Sequence, residues 1–511
     1  MSLPAAPPSL PAVFSPSLRS APRLRRPRET VLAALGLGCG AEVLLDGPGW
    51  GISFPLFVVM LLGSLLALGG REGWQRARPN AWLGLACLFF SGMVFVRASP
   101  LLTALNLCAT GLLLLLLAHF WAAGRVERLG LGGYPATLLD SAWNAVSLPP
   151  LVVHSQWGHV PVRGQLLRLL PVARGALLAF PVLFLFTGLL SSADGVFAEV
   201  LNQGAHFAMD LLSWETWGRG VFALGSAFGV LGLFAHALRR RREREAGEQE
   251  TTVAGSRLGF IESLTLVVLV DLLFLGFVSL QLAFMWGGAR LPLGLTYSEY
   301  ARRGFFELLA VSVLTLGLSL VLEQWTRLRD RAQVVAFRSA CTAMVGLVLV
   351  VLASAVKRMM LYESVYGYTE LRVYTHVFMG ALAAVLAWRV VTLWWRPERF
   401  ALGALVGGLG FLVALNLLNP DAFIARNNLN PGEGGAWDAS YLSRALSVDS
   451  APELAAYLER FPESASSLEL RARLCEYQGA EQGGWRAFHL AHHRASALLP
   501  SEACRVLERA E

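Results

Sequence analysis

The chain has 511 residues, of which 55% are hydrophobic and only 15% charged, against roughly 25% charged in ordinary soluble domains. Its mean hydropathy is +0.52 and its formal net charge is +7. Together these values exclude an ordinary soluble enzyme, a disordered chain and a small disulfide-stapled secreted module.

Residues 1–29 are rich in Pro, Ser and Arg (Arg19, Arg23, Arg25, Arg26, Arg28) and read as a disordered, basic, cytoplasmic amino terminus. The apolar run 31–45 has the length of a signal-peptide core, but Glu42 and Asp46 follow it with no small-residue cleavage pattern. Leu37-Gly38-Cys39 fits a lipoprotein site poorly because Gly36 precedes it. The run is therefore read as a first membrane helix. A span needs about 20 predominantly apolar residues. On that test eleven spans are expected, near 30–46, 51–69, 80–97, 100–121, 172–190, 217–238, 259–286, 303–322, 334–356, 371–395 and 399–418. The first is short and carries Glu42.

With the amino terminus inside, the cytoplasmic segments collect Arg71, Arg76 and Arg78, the Arg239–Arg244 run, and Arg327, Arg329 and Arg331. Loop 191–216 has no Arg or Lys but carries Asp194, Glu199, Asp210 and Glu215, so it belongs outside. An odd number of spans then puts the carboxy terminus outside as well. Of the 43 basic residues only Lys357 is lysine, a bias that points to GC-rich bacterial coding DNA. The arginine run after the sixth span reads first as an anchor at an anionic leaflet. The long loop 124–171, with Trp143, Pro149-Pro150 and Trp157, reads as lying on the membrane surface.

Residues 419–511 are different. They hold 9 arginines and 13 acidic residues. Short helices are expected at 452–461, 465–478 and 484–499, with Leu454, Leu458, Leu468, Leu474, Phe488, Ala491 and Leu498 as their apolar positions. His489, His492 and His493 share a helical spacing but lack the glutamate of a zinc-protease motif. Cys39, Cys87, Cys108 and Cys341 sit in apolar runs, whereas Cys475 and Cys504 lie in the tail; no CxxC occurs. A Cys475–Cys504 disulfide is permitted if the tail is outside. The fold class expected is all-α: a polytopic transmembrane helical bundle over 30–418, followed by a small helical extramembrane tail over 419–511.

Several polar groups stand where polarity is costly. Asp271 lies near the centre of its span, about 18 Å from one end and about 22 Å from the other at 1.5 Å per residue. It reads as a proton or cation site, or as interhelical glue hydrogen-bonded across the bundle. In Thr296–Leu308, Thr296 and Glu299 have capping-box spacing, and Glu299, Arg303 and Glu307 share one helical face, with Arg302 on another. In Lys357–Arg372, Thr369 is a candidate helix cap, and Arg358, Tyr362, Glu363, Tyr366, Tyr368 and Arg372 exceed the needs of a plain turn. Arg372 and His376 share a face. Asp194 ends the fifth span and Asp421 follows the last. In the expected topology these clusters emerge on the outer side.

The motifs Leu-Ser-Ser-Ala-Asp-Gly-Val-Phe at 190–197 and Leu-Thr-Tyr-Ser-Glu-Tyr-Ala-Arg-Arg-Gly-Phe-Phe-Glu-Leu at 295–308 resemble a bacterial membrane family known as domain of unknown function 4173, related to 4153. So do the pattern from Arg358 to Arg372, Asn419-Pro-Asp-Ala-Phe-Ile-Ala-Arg-x-Asn428, the block Asp438–Asp449, and Trp485-Arg-x-Phe488. The resemblance implies a polytopic bacterial membrane protein with a polar carboxy-terminal region, and no activity or cofactor.

No GxSxG, Walker A or strand–helix GxGxxG motif appears, and no basic–aromatic surface suited to nucleic acid. The functional expectation is a non-enzymatic sensing or assembly component of the bacterial inner membrane. Its partners would be the lipid bilayer and an envelope protein or small-molecule ligand, and it would use no metal or cofactor. The second reading is a secondary transporter, proton-coupled through Asp271. The third is an envelope enzyme using an outer carboxylate pair drawn from Asp194, Glu299 and Asp421.

Overall fold

The computed structural model describes residues 24–47, 49–122, 124–157, 214–239, 258–285, 305–429, 439–462, 467–479 and 484–498. In chain order the helices are α1 (Pro27–Leu45), α2 (Ser53–Ala77), α3 (Ala81–Val96), α4 (Pro100–Ala122), α5 (Gly133–Trp157), α6 (Trp214–Leu238), α7 (Phe260–Met285) and α8 (Phe305–Trp325). They continue as α9 (Arg331–Tyr366), α10 (Glu370–Trp394), α11 (Phe400–Leu418), α12 (Pro420–Asn428), α13 (Ala439–Arg444), α14 (Ala451–Arg460), α15 (Ser467–Gly479) and α16 (Leu490–Ser496). The β pairing among the described residues is a single bridge between Leu258 and Thr326.

Eight described segments are long and apolar enough to cross a bilayer, which makes this a multi-pass membrane protein. Ten of the eleven expected spans fall on described helices; 172–190 lies outside the described residues. The second and third share one apolar segment, Ser53–Val96, broken within α2 by Gly70 at φ +60° and then by a turn at Arg78–Asn80. α1 is not among the eight. It starts at Pro27, inside the stretch expected to be disordered, because proline is well tolerated in a first helical turn.

α9 also departs from expectation. The segment Lys357–Tyr366, read as a link between spans, is instead the end of a 36-residue helix. Nothing in it breaks a helix until Gly367. At 1.5 Å per residue α9 is roughly 54 Å long, well beyond a hydrocarbon core of about 30 Å.

The chain forms two compact units. One comprises residues 1–39 and 142–240. Within it α1 meets α6 at Gly38, where an added Cβ would lie 2.5 Å from the Ala223 carbonyl oxygen, and α6 meets α5 at Gly232, against the backbone of Ala145. Only glycine permits backbones to approach this closely.

The other unit comprises residues 40–141 and 241–511. Here α9 runs between α7, α8 and α10, and buries Val345, Val348, Leu352 and Ala355 against Phe305, Met379 and Leu386. The tail helices α12–α16 share a second core: Ile424, Leu442, Leu454, Leu470, Leu474, Tyr477 and Ala491 pack together with Val373 of α10. The tail is thus docked on the bundle. Leu454, Leu458, Leu474 and Ala491 are buried as expected, but Leu468 is 68% exposed and Leu470 takes its place. In α15 the inward face falls on 470, 474 and 477, at i, i+4 and i+7 spacing, and Leu468, two residues from Leu470, points the other way.

Candidate functional site at the tail junction

The tail meets the bundle at the α3–α4 connection. Asp449 is 6% exposed, and its Oδ2 accepts from the Ala98 N–H at 2.7 Å and the Ser99 N–H at 3.2 Å. Arg97 places Nη1 3.9 Å from Asp449 Oδ1 and donates from Nε to the Asn416 carbonyl at 2.8 Å. Burial pushes the Asp449 carboxyl up to about 6, against the opposing pull of Arg97 and the two amides. The same desolvation lowers the Arg97 guanidinium. Beneath this contact Asn106 of α4 and Asn416 of α11 exchange amide hydrogen bonds of 2.9 and 2.8 Å, a reciprocal pair that satisfies both buried side chains.

A second buried acid adjoins the first. Asn419 ends α11 in the left-handed region at φ 53°, and Pro420 then starts α12. This sharp turn buries Asp421, which is 1% exposed. Asp421 Oδ2 accepts from the Ser447 N–H at 3.1 Å and from the Ser447 hydroxyl. Its Oδ1 meets no amide or hydroxyl donor. The Glu370 carboxyl lies within hydrogen-bonding reach of Asp421 and can act as a donor only when protonated. The Glu370 N–H points to the Tyr441 hydroxyl at 3.0 Å, so Tyr441 takes over the capping role expected of Thr369, whose side chain makes no cap bond.

The α9–α10 turn forms the other side of the junction. Asn428 accepts from the Tyr368 N–H and donates to the Tyr368 carbonyl, both at 2.8 Å. Gly367 sits at φ +69° beneath that amide. Arg372 donates to the carbonyls of Tyr366 and Gly367 and lies over the Tyr362 ring, 4.5 Å from its centroid. His376 Nδ1 lies 3.4 Å from buried Glu363. Gly367→Ala would place a Cβ 2.9 Å from Asn428 Oδ1 in a backbone region that side chains rarely adopt. We expect it to cost about 2–3 kcal/mol, read as a lower melting temperature and faster proteolysis within α12 and α13.

Of the residues expected to form an outer polar site, Tyr362 and Arg372 touch each other, Arg358 is buried about two turns before the end of α9, and Asp421 lies under the tail. Glu307 is exposed in the first turn of α8. Asp194, Glu299, Arg302 and Arg303 lie outside the described residues. Asp271 belongs to a different part of the bundle, the α7–α9 face. The histidine trio is not one helical face: His489 precedes α16 and caps it, accepting from the Ala491 N–H at 3.3 Å while its Nε2 faces the Arg97 carbonyl at 3.1 Å. Burial lowers its pKa.

Three groups were not singled out by the sequence reading. Arg97 is ordinary in a short loop. Asp449 stands inside a motif, but nothing local marks it as buried. Arg389 of α10 is 1% exposed, pairs with Glu323 of α8 at 2.7 Å, and donates from Nη2 to the Ser319 carbonyl at 3.1 Å. An arginine inside an apolar span was the available signal for this pair.

These features define a multi-pass, all-helical membrane protein whose helical tail is docked through buried carboxylates. A family model described as "Domain of unknown function (DUF4153)" matches residues 84–457, and the chain belongs to that family. No curated protein and no solved structure matches it.

Proposed function

We propose that this chain is a non-enzymatic sensing or assembly component of a bacterial inner membrane, with its amino terminus in the cytoplasm and its tail outside. The observation that carries this reading is the buried acid cluster at the tail junction: Asp449 and Asp421, with Glu370 beside Asp421. Carboxylates at a docking surface make docking sensitive to protonation and charge, which gives the tail a docked and a released state. An envelope protein or a small-molecule ligand that favours one state would then be read by the bundle.

The orientation is supported from two directions. Arginines concentrate in the segments assigned to the cytoplasm. In the tail, Cys475 is disulfide-bonded while the four other described cysteines are free, as suits an oxidising compartment outside the membrane. The proposed kinship with domain of unknown function 4173 is supported by the motifs at 190–197, 295–308, 358–372, 419–428, 438–449 and 485–488.

The test is a reporter fused after Glu511. Alkaline phosphatase should be active there and a fluorescent protein that folds only in the cytosol should be dark. The opposite result overturns the assignment of the tail as an external sensing or assembly surface. A second reading, a secondary transporter coupled to protons through Asp271, is favoured by one observation: a carboxyl oxygen at the middle of α7 with no hydrogen-bond partner.

A further inference from the structure

Asp271 faces a groove between α7 and α9. Two helical faces form its walls: Asp271, Leu272 and Leu275 on α7, and Ala343, Gly346 and Val350 on α9. Residues 272 and 275, like 343, 346 and 350, repeat at three- and four-residue spacing, so each set is one continuous stripe. The groove holds about 450 Å³, within the range of small-molecule sites. Its width comes from Gly346, where an added Cβ would meet nothing within 4 Å. Among the described residues that line it, Asp271 is the one polar side chain.

The occupant must satisfy that carboxyl. Asp271 Oδ1 is shielded from solvent and has no hydrogen-bond partner. The intramembrane Arg389 is committed to Glu323 and Ser319. Water is a poor solution, since a buried water needs two to four polar partners and the groove offers one residue. A lipid acyl chain would cover the leucines and leave the carboxyl unpaired in hydrocarbon, which is costly. A primary ammonium group supplies both charge and donors, and an alkyl chain attached to it fits the apolar walls.

We propose that the α7–α9 groove is an intramembrane binding site for a lipophilic amine, whose ammonium group pairs with Asp271 and whose hydrocarbon body lies over Gly346 and Leu275. The inference shares Asp271 with the transport reading, but it claims binding and not movement. A transport assay that fails leaves it standing, and so does a tail that faces the cytosol.

The test uses full-length protein in lipid nanodiscs and tritiated decylamine carrying a photoreactive diazirine at the far end of its chain. Saturable labelling confined to peptides of α7 and α9 is expected, competed by unlabelled decylamine and not by decanoic acid. Asp271→Asn should weaken binding at least tenfold. Gly346→Leu should abolish labelling by filling the groove, and its side chain has room to do so. Labelling unchanged in Asp271→Asn, equal competition by decanoic acid, or label spread over all lipid-facing helices would overturn the proposal. The same holds for absence of saturable labelling, which would mean that another helix or lipid owns the groove. If Asp271→Asn cannot be recovered as a monodisperse protein, Gly346→Leu decides alone, and labelling that survives it sinks the site.

Discussion

Replacing Asp449 by alanine should loosen the tail from the bundle by about 2–4 kcal/mol, while asparagine at the same position should hold it. Alanine strands the Ala98 and Ser99 amides and leaves the half-buried Arg97 without its carboxylate. Asparagine keeps an acceptor oxygen for those amides and removes the buried charge. Hydrogen exchange of the α13–α15 amides reads the difference. Amides of Leu442, Leu454 and Leu474 should exchange on the order of 100-fold faster in Asp449→Ala, by the conversion of about 1.4 kcal/mol per decade, with no change in α7–α9. Equal protection in the wild type and Asp449→Ala would show that the apolar core alone holds the tail.

The pair of variants also carries a pH signature. Burial raises the docked Asp449 carboxyl from 3.8 to about 6, with Arg97 and the Ala98 and Ser99 amides opposing and Asp421 adding to the rise. The docked state therefore binds a proton more tightly than the released state. That contribution to docking is fully present below about 3.8 and is lost as pH rises through about 6. A shift of this size is worth at most about 3 kcal/mol. Tail protection in the wild type should fall mainly between about pH 4 and pH 6, and Asp449→Asn should flatten that dependence. A wild-type profile that rises with pH would contradict the assignment of the titrating group.

Arg389→Met should be among the most damaging changes within the bundle. The guanidinium is 1% exposed and joins α10 to α8 through Glu323 and the Ser319 carbonyl and hydroxyl. Removing it strands Glu323 at the end of an apolar helix, at a cost of about 3–5 kcal/mol. The double variant Arg389→Met/Glu323→Leu should recover most of that loss, because neither charge then needs a partner. Thermal unfolding of the purified proteins in detergent measures both. Additive losses in the double variant would mean that the two side chains do not act as a pair.

Much of the bundle was legible from sequence because a bilayer admits few solutions. Long apolar runs must close their own backbone hydrogen bonds, so runs such as 260–285 and 370–394 had to be helices. The stop at Asn419-Pro420 was legible for a similar reason: proline cannot continue the preceding helix. The end of α9 was not, since Lys357–Tyr366 is polar enough to resemble a loop and yet contains no helix breaker. Leu468 was misplaced because it stands six residues from Leu474 and so on another face of α15, whereas Leu470, four residues before Leu474, shares the buried face.

Composition and pattern alone thus determined that this chain lies in a membrane as a helical bundle with a polar helical tail, since transfer energies and backbone hydrogen bonding depend on segments that are contiguous in sequence. Which polar groups meet was decided only by tertiary structure. Arg97 and Asp449 stand 352 positions apart, and Asn106 and Asn416 are separated by 310. Nothing local in either member of these pairs specifies the other. Their pairing follows from the packing of α3, α4, α11 and the tail, which brings distant chain segments to one buried place and there makes an unmatched charge or amide costly.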